Sequence, residues 1–384
     1  MLYFDHAASS FPKPKEVGEA MKEAVDLFAA NPGRGGHALS QQAASVVKRT
    51  RAELASLFEA PGEKHVWFYQ NATMALNQAI LGFPFEEGDH ILSTAYEHNS
   101  VLRPLKVLED EVGVKISYVE PNEQHQFEIH DVLTHLTDKT RMVIVSHASN
   151  VTGALFPIQE LAEKLKNHSA ILLVDASQTA GKVDIQMQRD GIDLLAFAGH
   201  KGLMGPQGTG VLISDKDYLL KPLIHGGTGT SSEQDYQPES WPERYEAGTL
   251  NTPGIAGLHA GVQAVKQMGI TSIREHEEGL MQQFLEGVSE LESVHCYGPE
   301  ALGDRVAVIS FHVKHSSSHE VAMILDSSYQ MAVRAGLHCA PKTHLHLGTI
   351  QDGLVRVSFG PYNTSKEVDE LIGAIKEIEE AFTD

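Results

Sequence analysis

The chain has 384 residues, of which 42% are hydrophobic and 21% charged, and a formal net charge of -21 at pH 7. The length is enough for a large domain plus a smaller one, and the composition is that of a globular protein. The negative charge argues against nucleic acid or anionic membranes as partners. The start, "MLYFDHAASS", lacks the basic region and apolar core of a secretory signal. The two cysteines, Cys296 and Cys339, cannot form a disulfide framework, so we expect a cytoplasmic protein.

Strand-like and helix-like segments alternate over the first two thirds of the chain. "HVWFYQ" precedes "ATMALNQAILGF", "HILSTAYE" precedes "NSVLRPLKVLEDE", "RMVIVSHA" precedes "IQELAEKLKN", and "AILLVDAS" follows. Short strands rich in Val, Ile and Leu between amphipathic helices predict a mainly parallel sheet flanked by helices. The fold class is therefore α/β.

The pattern changes after Pro253. A long amphipathic helix is predicted in "SIREHEEGLMQQFLEGVSELESV", followed by the strand-like runs "RVAVISFHV" and "GLVRVSFG". The closing helix has Thr364 and Glu367 at the spacing of a capping box. We therefore predict a large domain over residues 14–254 and a small α+β domain formed by residues 1–13 and 255–384.

Polar side chains follow five of the predicted strands. Ligands of open parallel sheets bind beyond the carboxyl ends of the strands, so these side chains are expected to surround one ligand. The set consists of Asn71, Thr73, Glu97, His98, Asn150, Asp175, Gln178, His200 and Lys201.

The chemical types in this set indicate pyridoxal phosphate (PLP). Backbone N–H groups and Thr73 at a helix start suit a phosphate. Asp175 could hold a protonated ring nitrogen, His98 could stack on an aromatic ring, and Lys201 could form an imine, as PLP requires. Each residue alone also fits a structural role, such as a helix cap or a hydrogen-bonded loop histidine. Only the residues taken together favour PLP as the ligand.

The glycine-rich run "GPQGTG" follows Lys201 closely. It has the wrong order for a GxGxxG nucleotide loop and lacks the GK[ST] ending of a P-loop. We interpret it as a segment whose backbone passes closely behind the cofactor lysine.

At this level of detail the sequence resembles the class V aminotransferase family of fold-type I PLP enzymes, and within it the branch of cysteine desulfurases and selenocysteine lyases. The resemblance covers nearly the whole chain. Its segments are "YFDHAASS", "NPGRGGHALS", "NATMALN", "EHNS", "SNVTGA", "VDASQTAGK", "AGHKGLMGPQGTG", "RYEAGTLNTPG", "RAGLHCAP" and "RVSFGPYNT".

The resemblance implies a role for each matching residue. Lys201 would carry the cofactor, His98 would stack on it and act in catalysis, Asp175 would pair with the pyridine nitrogen, and Gln178 with the phenolic oxygen. The phosphate would be held by the start of the helix at Ala72 and Thr73, by His200, and by Thr249 from the second subunit of a homodimer. The substrate carboxylate would bind Asn150, Arg334 and Arg356.

Three positions depart from the pattern of the branch. Ala198 stands where a hydroxyl residue usually contacts the phosphate, and Ala72 stands where a hydroxyl is common. Leu337 replaces the first of two histidines before the cysteine. These departures concern substrate preference and rate more than the class of reaction.

Cys339 falls where the family keeps its sulfur-accepting cysteine. The stretch "RAGLHCAPKTHLHLG" predicts a loop, and Arg334, His338 and Lys342 around Cys339 would favour a thiolate. Cys296, by contrast, is interpreted as an inert, buried thiol.

A metal site of Cys339, His344 and His346 lacks a fourth ligand and a recognised spacing, so no metal is predicted. The resemblance instead implies conversion of L-cysteine to L-alanine with sulfur held as a persulfide on Cys339. A sulfur-acceptor protein would then receive it for iron–sulfur cluster or thio-cofactor assembly. A selenocysteine lyase, another class V lyase or aminotransferase, and a non-catalytic scaffold stay open as alternatives.

Overall fold

The computed structural model of the protein describes residues 1–33 and 36–383. Arg34 and Gly35, within the quoted segment "NPGRGGHALS", and Asp384 lie outside the described residues. The described strands are β1 (Leu2–Tyr3), β2 (Val66–Tyr69), β3 (His90–Thr94), β4 (Lys115–Val119), β5 (Thr140–Ser146), β6 (Ile171–Asp175), β7 (Leu194–Ala198), β8 (Gly210–Ser214), β9 (Val294–Tyr297), β10 (Val308–Val313), β11 (Met331–Ala332), β12 (Arg334–Gly336) and β13 (Leu354–Ser358). The described α-helices are α1 (Lys15–Phe28), α2 (Ala38–Leu57), α3 (Ala72–Gly82), α4 (Asn99–Val112), α5 (Ile129–Thr134), α6 (Ile158–Leu165), α7 (Met187–Asp190), α8 (Thr252–Met268), α9 (Ile270–Ser289), α10 (Ser318–Tyr329), α11 (Pro341–His346) and α12 (Ser365–Thr383).

The larger sheet has the strand order β2-β8-β7-β6-β5-β3-β4 in the described part of the chain. Strand β8 runs antiparallel to both of its neighbours, β2 and β7, whereas the pairs from β7 across to β4 are parallel. Strand β2 therefore points the same way as β7. The carboxyl ends of β2, β3, β5, β6 and β7 consequently meet at one edge of the sheet, which is where ligands of such sheets bind.

The central strands are apolar because helices cover both faces of the sheet. Every residue of β6 ("ILLVD") and β7 ("LLAFA") is buried. Side chains of a strand point alternately to the two faces, and accordingly Leu172 and Val174 belong to one hydrophobic cluster while Leu173 and Leu194 belong to another. The sheet is thus held rigidly between two cores.

The smaller sheet is antiparallel, in the order β12-β13-β10-β9, and packs its own core with Phe284, Phe311 and Phe359. The N-terminal strand β1 pairs in parallel with β11, and Asp5 bridges to Ser358 at the end of β13. The first residues of the chain therefore lie beside the smaller sheet. The domain boundary at residue 254 stays a prediction.

The strands and helices that we predicted from the sequence are confirmed, with one difference. The long helix α9 ends at Ser289, and Val294 of the predicted helical segment begins β9 instead. The capping box is present, because Thr364 N donates to Glu367 Oε2 at 2.8 Å and Glu367 N donates to Thr364 Oγ1 at 3.3 Å. No helix among the described residues is long and apolar enough to span a membrane.

Candidate active site

A cavity of about 240 Å³ opens at the edge where the carboxyl ends of the parallel strands meet. The smaller sheet contributes to it as well, through β12, β13 and the turn between β12 and α11. The residues predicted to form the site that line this cavity are Asn71, Ala72, Thr73, His98, Asn150, Asp175, Gln178, His200, Lys201, Arg334, Cys339 and Arg356. Thr249 does not line it. Glu97 does not line it either, because its carboxylate is fully buried and accepts hydrogen bonds from Thr94 Oγ1 and from Ser146.

Lys201 lies in the turn that follows β7, and its amine faces the cavity. Burial lowers the pKa of Lys201 to about 8, with the Asp175 carboxylate opposing this and the Arg356 and Arg334 guanidinium groups adding to it. Gly205 N donates to Gly199 O at 2.8 Å, which closes the turn that carries Lys201. At pH 7 roughly a tenth of Lys201 is therefore a neutral, nucleophilic amine, far more than for an ordinary lysine.

His98 is the N-cap residue of α4. Ser100 N donates to His98 Nδ1 at 3.1 Å, and a backbone amide is always the donor, so Nδ1 carries no proton. Burial and then the Lys201 charge lower the pKa of His98 to about 4. The ring is therefore neutral at pH 7, carries its proton on Nε2, and presents an uncharged face to the cavity.

Asp175 and Gln178 occupy the floor of the cavity after β6. Asp175 is 5% exposed, and its Oδ1 accepts a hydrogen bond from Ser177 N at 2.9 Å. Gln178 Nε2 donates one hydrogen to Ala7 O at 3.1 Å, which leaves its second amide hydrogen free to bind a ligand. The site thus offers a carboxylate and an amide donor side by side.

The start of α3 provides an anion-binding corner. Asn71 Oδ1 caps the helix by accepting from Met74 N at 3.0 Å, and the first N–H groups, at Ala72 and Thr73, have no carbonyl partner within the helix. Two further residues that line this cavity, Ser177 and His200, each have a buried polar atom without a hydrogen-bond partner, Oγ and Nδ1 respectively.

The close packing at this corner depends on one glycine. A Cβ at Gly210 would lie 2.2 Å from the carbonyl carbon of Asn71, so only glycine lets β8 pass behind the start of α3.

The opposite end of the cavity is cationic, because two arginine side chains lie there. Arg334 and Arg356 are paired residues of the neighbouring strands β12 and β13. Arg356 is 1% exposed and donates from Nη1 to Asn150 O at 3.0 Å and from Nη2 to Asp5 Oδ1 at 2.8 Å, while its Nε has no partner. Asn150 uses its side-chain amide on His338 O, at 2.7 Å.

Cys339 is exposed and lines the same cavity as Lys201. His338 and Cys339 both have left-handed backbones, with φ of 50° and 59°, an uncommon conformation for residues other than glycine. The turn is fixed by hydrogen bonds, since Cys339 O accepts from Asn99 N at 2.7 Å and His338 O from Asn150. The cysteine turn is thus held by Asn99 at the start of α4 and by Asn150 in the turn that follows β5.

Of the three groups expected to favour a thiolate, only Arg334 contacts the sulfur, with Nη2 3.9 Å from Cys339 Sγ. Lys342 Nζ lies over the ring of Tyr118, 4.0 Å from its centroid. Burial lowers the pKa of His338 to about 2, so this imidazole is uncharged. Within the described residues no group of three or more metal-ligating side chains is close enough to hold a metal ion.

Thr249 is separated from the cavity within a single chain. It is exposed, accepts a hydrogen bond from Asn31 Nδ2 at 3.3 Å, and lines a neighbouring cavity together with Met74 and Asn77 of α3. Within one chain, the Thr249 hydroxyl therefore does not line the candidate site.

Four contributors were not recognised as site residues from the sequence: Asp5, Ser100, Ser146 and Ser177. Ser146 Oγ donates to the fully buried Glu97 at 2.7 Å, as does its backbone N at 2.9 Å, which ties the turn before His98 to β5. Ser177 could have been found, because it stands between Asp175 and Gln178 in "VDASQ". Asp5 lies far from the other site residues in sequence, and no sequence pattern identified it as a member of the site.

Comparison with known proteins places the chain in a family. The model of the class-V aminotransferase family matches residues 2–371, and the chain therefore belongs to that family. Its similarity within the family is to cysteine desulfurases. A probable cysteine desulfurase of Pyrococcus abyssi is 36% identical over 98% of this chain and 94% of its own length.

Solved structures agree with this assignment. The apo structure of the cysteine desulfurase from Thermococcus onnurineus NA1 is 36% identical, with a TM-score of 0.93 over 99% of this chain and 95% of that one. The cysteine desulfurase CsdA from Escherichia coli is 26% identical, with a TM-score of 0.89 over 99% and 94% of the two chains. The family resemblance and the fold class predicted from the sequence are thus confirmed, the latter being the fold-type I architecture of PLP enzymes.

Proposed function

We propose that the protein is a PLP-dependent cysteine desulfurase, which converts L-cysteine to L-alanine and receives the sulfur on Cys339 as a persulfide. The observation that carries this proposal is that Cys339 and Lys201 face one cavity of about 240 Å³. The reaction of an aminotransferase does not require an exposed thiol at this position. A non-catalytic scaffold does not require a buried lysine of lowered pKa.

The residues present fit PLP. The helix start at Ala72 and Thr73, with the unpartnered atoms Ser177 Oγ and His200 Nδ1, would hold the phosphate. Asp175 would face the ring nitrogen, Gln178 would donate to the phenolic oxygen, and the neutral His98 ring would stack on the cofactor. When bound, PLP supplies an electron sink for carbanion chemistry at the substrate Cα.

Binding of the substrate would use the cationic end of the cavity. The carboxylate of L-cysteine would bind Arg356 and Arg334, whose guanidinium groups match a carboxylate in geometry. Asn150 contacts both the Arg356 guanidinium and the cysteine turn. It would therefore position the carboxylate and Cys339 relative to each other.

The proton and sulfur transfers follow from these positions. Lys201 Nζ would accept the proton of the substrate Cα, because its lowered pKa suits a general base near neutral pH. The Cys339 thiolate, beside Arg334, would form an S–S bond with the substrate sulfur while the Cβ–S bond breaks. The bonding electrons pass to Cβ, which takes up a proton, and Lys201 would return the proton to Cα to give alanine.

The test is product formation by the purified, PLP-loaded protein. With L-cysteine we expect alanine and protein-bound persulfide in equal amounts in the first turnover, measured by amino-acid analysis and thiol labelling. Release of alanine from L-selenocysteine but not from L-cysteine would instead make the protein a selenocysteine lyase. Absence of alanine from both substrates would contradict the proposal.

We further propose a homodimer in which each active site receives Thr249 from the partner subunit. The position of Thr249 outside the cavity of its own chain supports this, as does the lack of a hydroxyl at Ala198 and Ala72. A lost charge-assisted hydrogen bond to the phosphate is worth about 1.5–3 kcal/mol, so Thr249→Val should weaken PLP binding roughly ten- to a hundredfold. Equilibrium titration with PLP measures this, with thermal melting as the control for folding.

Mixed dimers decide which subunit supplies the hydroxyl. A dimer of one Thr249→Val chain and one Lys201→Ala chain, isolated through two different tags, has one site with an intact Lys201. If Thr249 comes from the partner subunit, that site binds PLP as tightly as the wild type does. Affinity equal to that of the Thr249→Val homodimer would contradict the shared site.

A sulfur acceptor and a cellular location complete the proposed function. The persulfide sulfur would pass to an acceptor protein for iron–sulfur cluster or thio-cofactor assembly, and the exposure of Cys339 supports such access. Both cysteines are free thiols, which suits the reducing cytoplasm.

A further inference from the structure

Glu97 lies directly before His98, and its carboxyl group is fully buried. Its Oε1 accepts hydrogen bonds from Thr94 Oγ1 at 2.7 Å and from Ser146 N at 2.9 Å, and its Oε2 accepts from Ser146 Oγ at 2.7 Å. The side chain does not line the active-site cavity. Glu97 is therefore joined to the ends of β3 and β5 and does not face the ligand.

The Glu97 carboxyl group fills a gap between these two strands. The backbone pairing of β5 with β3 ends at Val143, although β5 continues to Ser146. His147 N donates to Asp175 O on the β6 side, so the N–H of Ser146, one residue earlier, faces β3. A buried main-chain N–H without an acceptor is costly. Glu97 supplies the acceptor that β3 no longer provides.

The turn between β3 and α4 carries or contacts two parts of the active site. His98 belongs to this turn and lines the cavity. Asn99 N donates to Cys339 O at 2.7 Å, and Ala95 O accepts from the buried Thr343 Oγ1 of α11 at 3.2 Å. The turn thus contacts both the cysteine and the helix that follows it.

A continuous series of contacts leads from the floor of the cavity to the nucleophile. Asp175 on β6 is the strand neighbour of Ser146 on β5. Ser146 is bonded to Glu97, and the turn that contains Glu97 is bonded to Cys339. The position of Cys339 relative to Asp175, and so relative to a cofactor that Asp175 holds, is therefore set in part through Glu97.

We propose that Glu97 is a positioning residue for sulfur transfer, which acts through its hydrogen bonds to place His98 and Cys339 relative to the cofactor. The inference rests on the proposed function, since it concerns the step in which Cys339 takes up sulfur from L-cysteine. Glu97 itself touches neither the substrate nor the cofactor.

Protonation of Glu97 does not remove these contacts. Burial raises the pKa of Glu97 to about 7, with hydrogen bonds from Ser146 and Thr94 opposing the rise, so both forms are present at neutral pH. The Ser146 hydroxyl can donate to the carboxylate or accept from the protonated acid. A glutamine has the shape of the neutral form: its Oε1 can accept from Thr94 Oγ1 and Ser146 N, and its Nε2 can donate to Ser146 Oγ.

The test compares Glu97→Ala, which removes the hydrogen bonds, with Glu97→Gln, which can keep them. Single-turnover reactions of the PLP-loaded protein with L-cysteine give the rate constant of persulfide formation per bound PLP and the half-saturating L-cysteine concentration. A displacement of about 1 Å costs up to about a hundredfold in rate, so we expect this rate constant to fall roughly ten- to a hundredfold in Glu97→Ala. The half-saturating concentration should stay near the wild-type value, because Arg356 would bind the carboxylate independently of the turn. Glu97→Gln should restore the rate constant.

Thr94→Val tests the same contact from the other side. It removes the hydroxyl that donates to Glu97, and Thr94 lies outside the cavity. Thr140→Val is the matched control, because Thr140 is a fully buried hydroxyl at the opposite end of β5 and contacts His90 Nδ1 of β3 at 2.8 Å. Each hydroxyl also accepts a main-chain hydrogen bond. A loss of stability alone would therefore affect both variants alike, whereas only Thr94→Val should lower the rate constant.

A wild-type rate constant in Glu97→Ala would overturn the proposal. A loss in Glu97→Gln as large as that in Glu97→Ala would also overturn it, because the charge and not the hydrogen bonds would then be required. If Glu97→Ala does not fold, equal rate constants in Thr94→Val and Thr140→Val would overturn it.

The circular dichroism of bound PLP provides a measurement that needs no turnover, because it depends on the position of His98 beside the cofactor ring. We expect the band of the cofactor to change in Glu97→Ala, or in Thr94→Val, and to keep its wild-type form in Glu97→Gln and Thr140→Val. An unchanged band in Glu97→Ala and Thr94→Val would contradict the placement of His98 through Glu97. A failure of the proposed function is distinct, since it appears as the absence of alanine from the wild type while this band still reports on Glu97.

Discussion

Replacement of Cys339 by serine abolishes persulfide formation and lowers sulfur release from L-cysteine at least about a hundredfold, a barrier increase of about 2.7 kcal/mol. The reason is chemical, because a hydroxyl is a far weaker nucleophile toward sulfur than a thiolate. Cofactor absorbance and its change on adding L-cysteine should persist, since no atom of Cys339 holds the cofactor in our proposal. Labelling of protein-bound persulfide and quantification of alanine measure the two effects.

Cys296→Ser is the control for this variant. Cys296 lies on β9 outside the cavity and is half-buried, not fully buried as predicted. Burial still raises the pKa of its thiol to about 11, so it is not a thiolate at neutral pH. This variant should behave as the wild type does. Full L-cysteine desulfurase activity in Cys339→Ser would move the sulfur acceptor to another group, and activity retained only toward L-selenocysteine would favour a lyase.

Lys201→Ala should give a folded protein without a covalently bound cofactor. Lys201 is the only lysine among the residues that line the cavity in the described parts of the chain. Borohydride treatment of the PLP-loaded wild type should fix the cofactor to the chain, and mass spectrometry should locate it on Lys201. Borohydride-fixed cofactor in Lys201→Ala would show that the assignment is wrong.

The lowered pKa of Lys201 predicts the pH dependence of cofactor capture by the wild type. Only the neutral amine attacks an aldehyde, and burial lowers the pKa of this group to about 8. The capture rate should therefore rise nearly tenfold per pH unit below about pH 8 and level off above it. A midpoint near the ordinary lysine value of about 10.4 would mean that the amine is solvated in solution.

Much of the site could be predicted from the sequence because the sheet is regular. In a parallel sheet the strand ends meet at one edge, so Asn71, His98, Asp175 and Lys201 could be brought together without coordinates. The type of each side chain then limited the ligand. Cys339 was different, because its place in the site rested on the family resemblance and no strand of the larger sheet carries it.

Contacts between distant segments could not be predicted in this way. Asp5 and Arg356 are separated by 351 positions, and only the pairing of the N-terminal segment with β13 brings them to 2.8 Å. The surroundings of Cys339 were predicted from neighbours in sequence. In the folded chain Lys342 turns away to Tyr118, and His338 is made neutral by burial.

The sequence by itself determined the α/β class, and it predicted the edge of the sheet at which the candidate site lies and an imine-forming role for Lys201. These follow from local periodicity and from residue type, which are properties of short segments. The tertiary structure alone decided which side chains pair and which are neutral. Burial and pairing depend on segments far apart in the chain, and they set both the lowered pKa of Lys201 and the ion pair of Asp5 with Arg356.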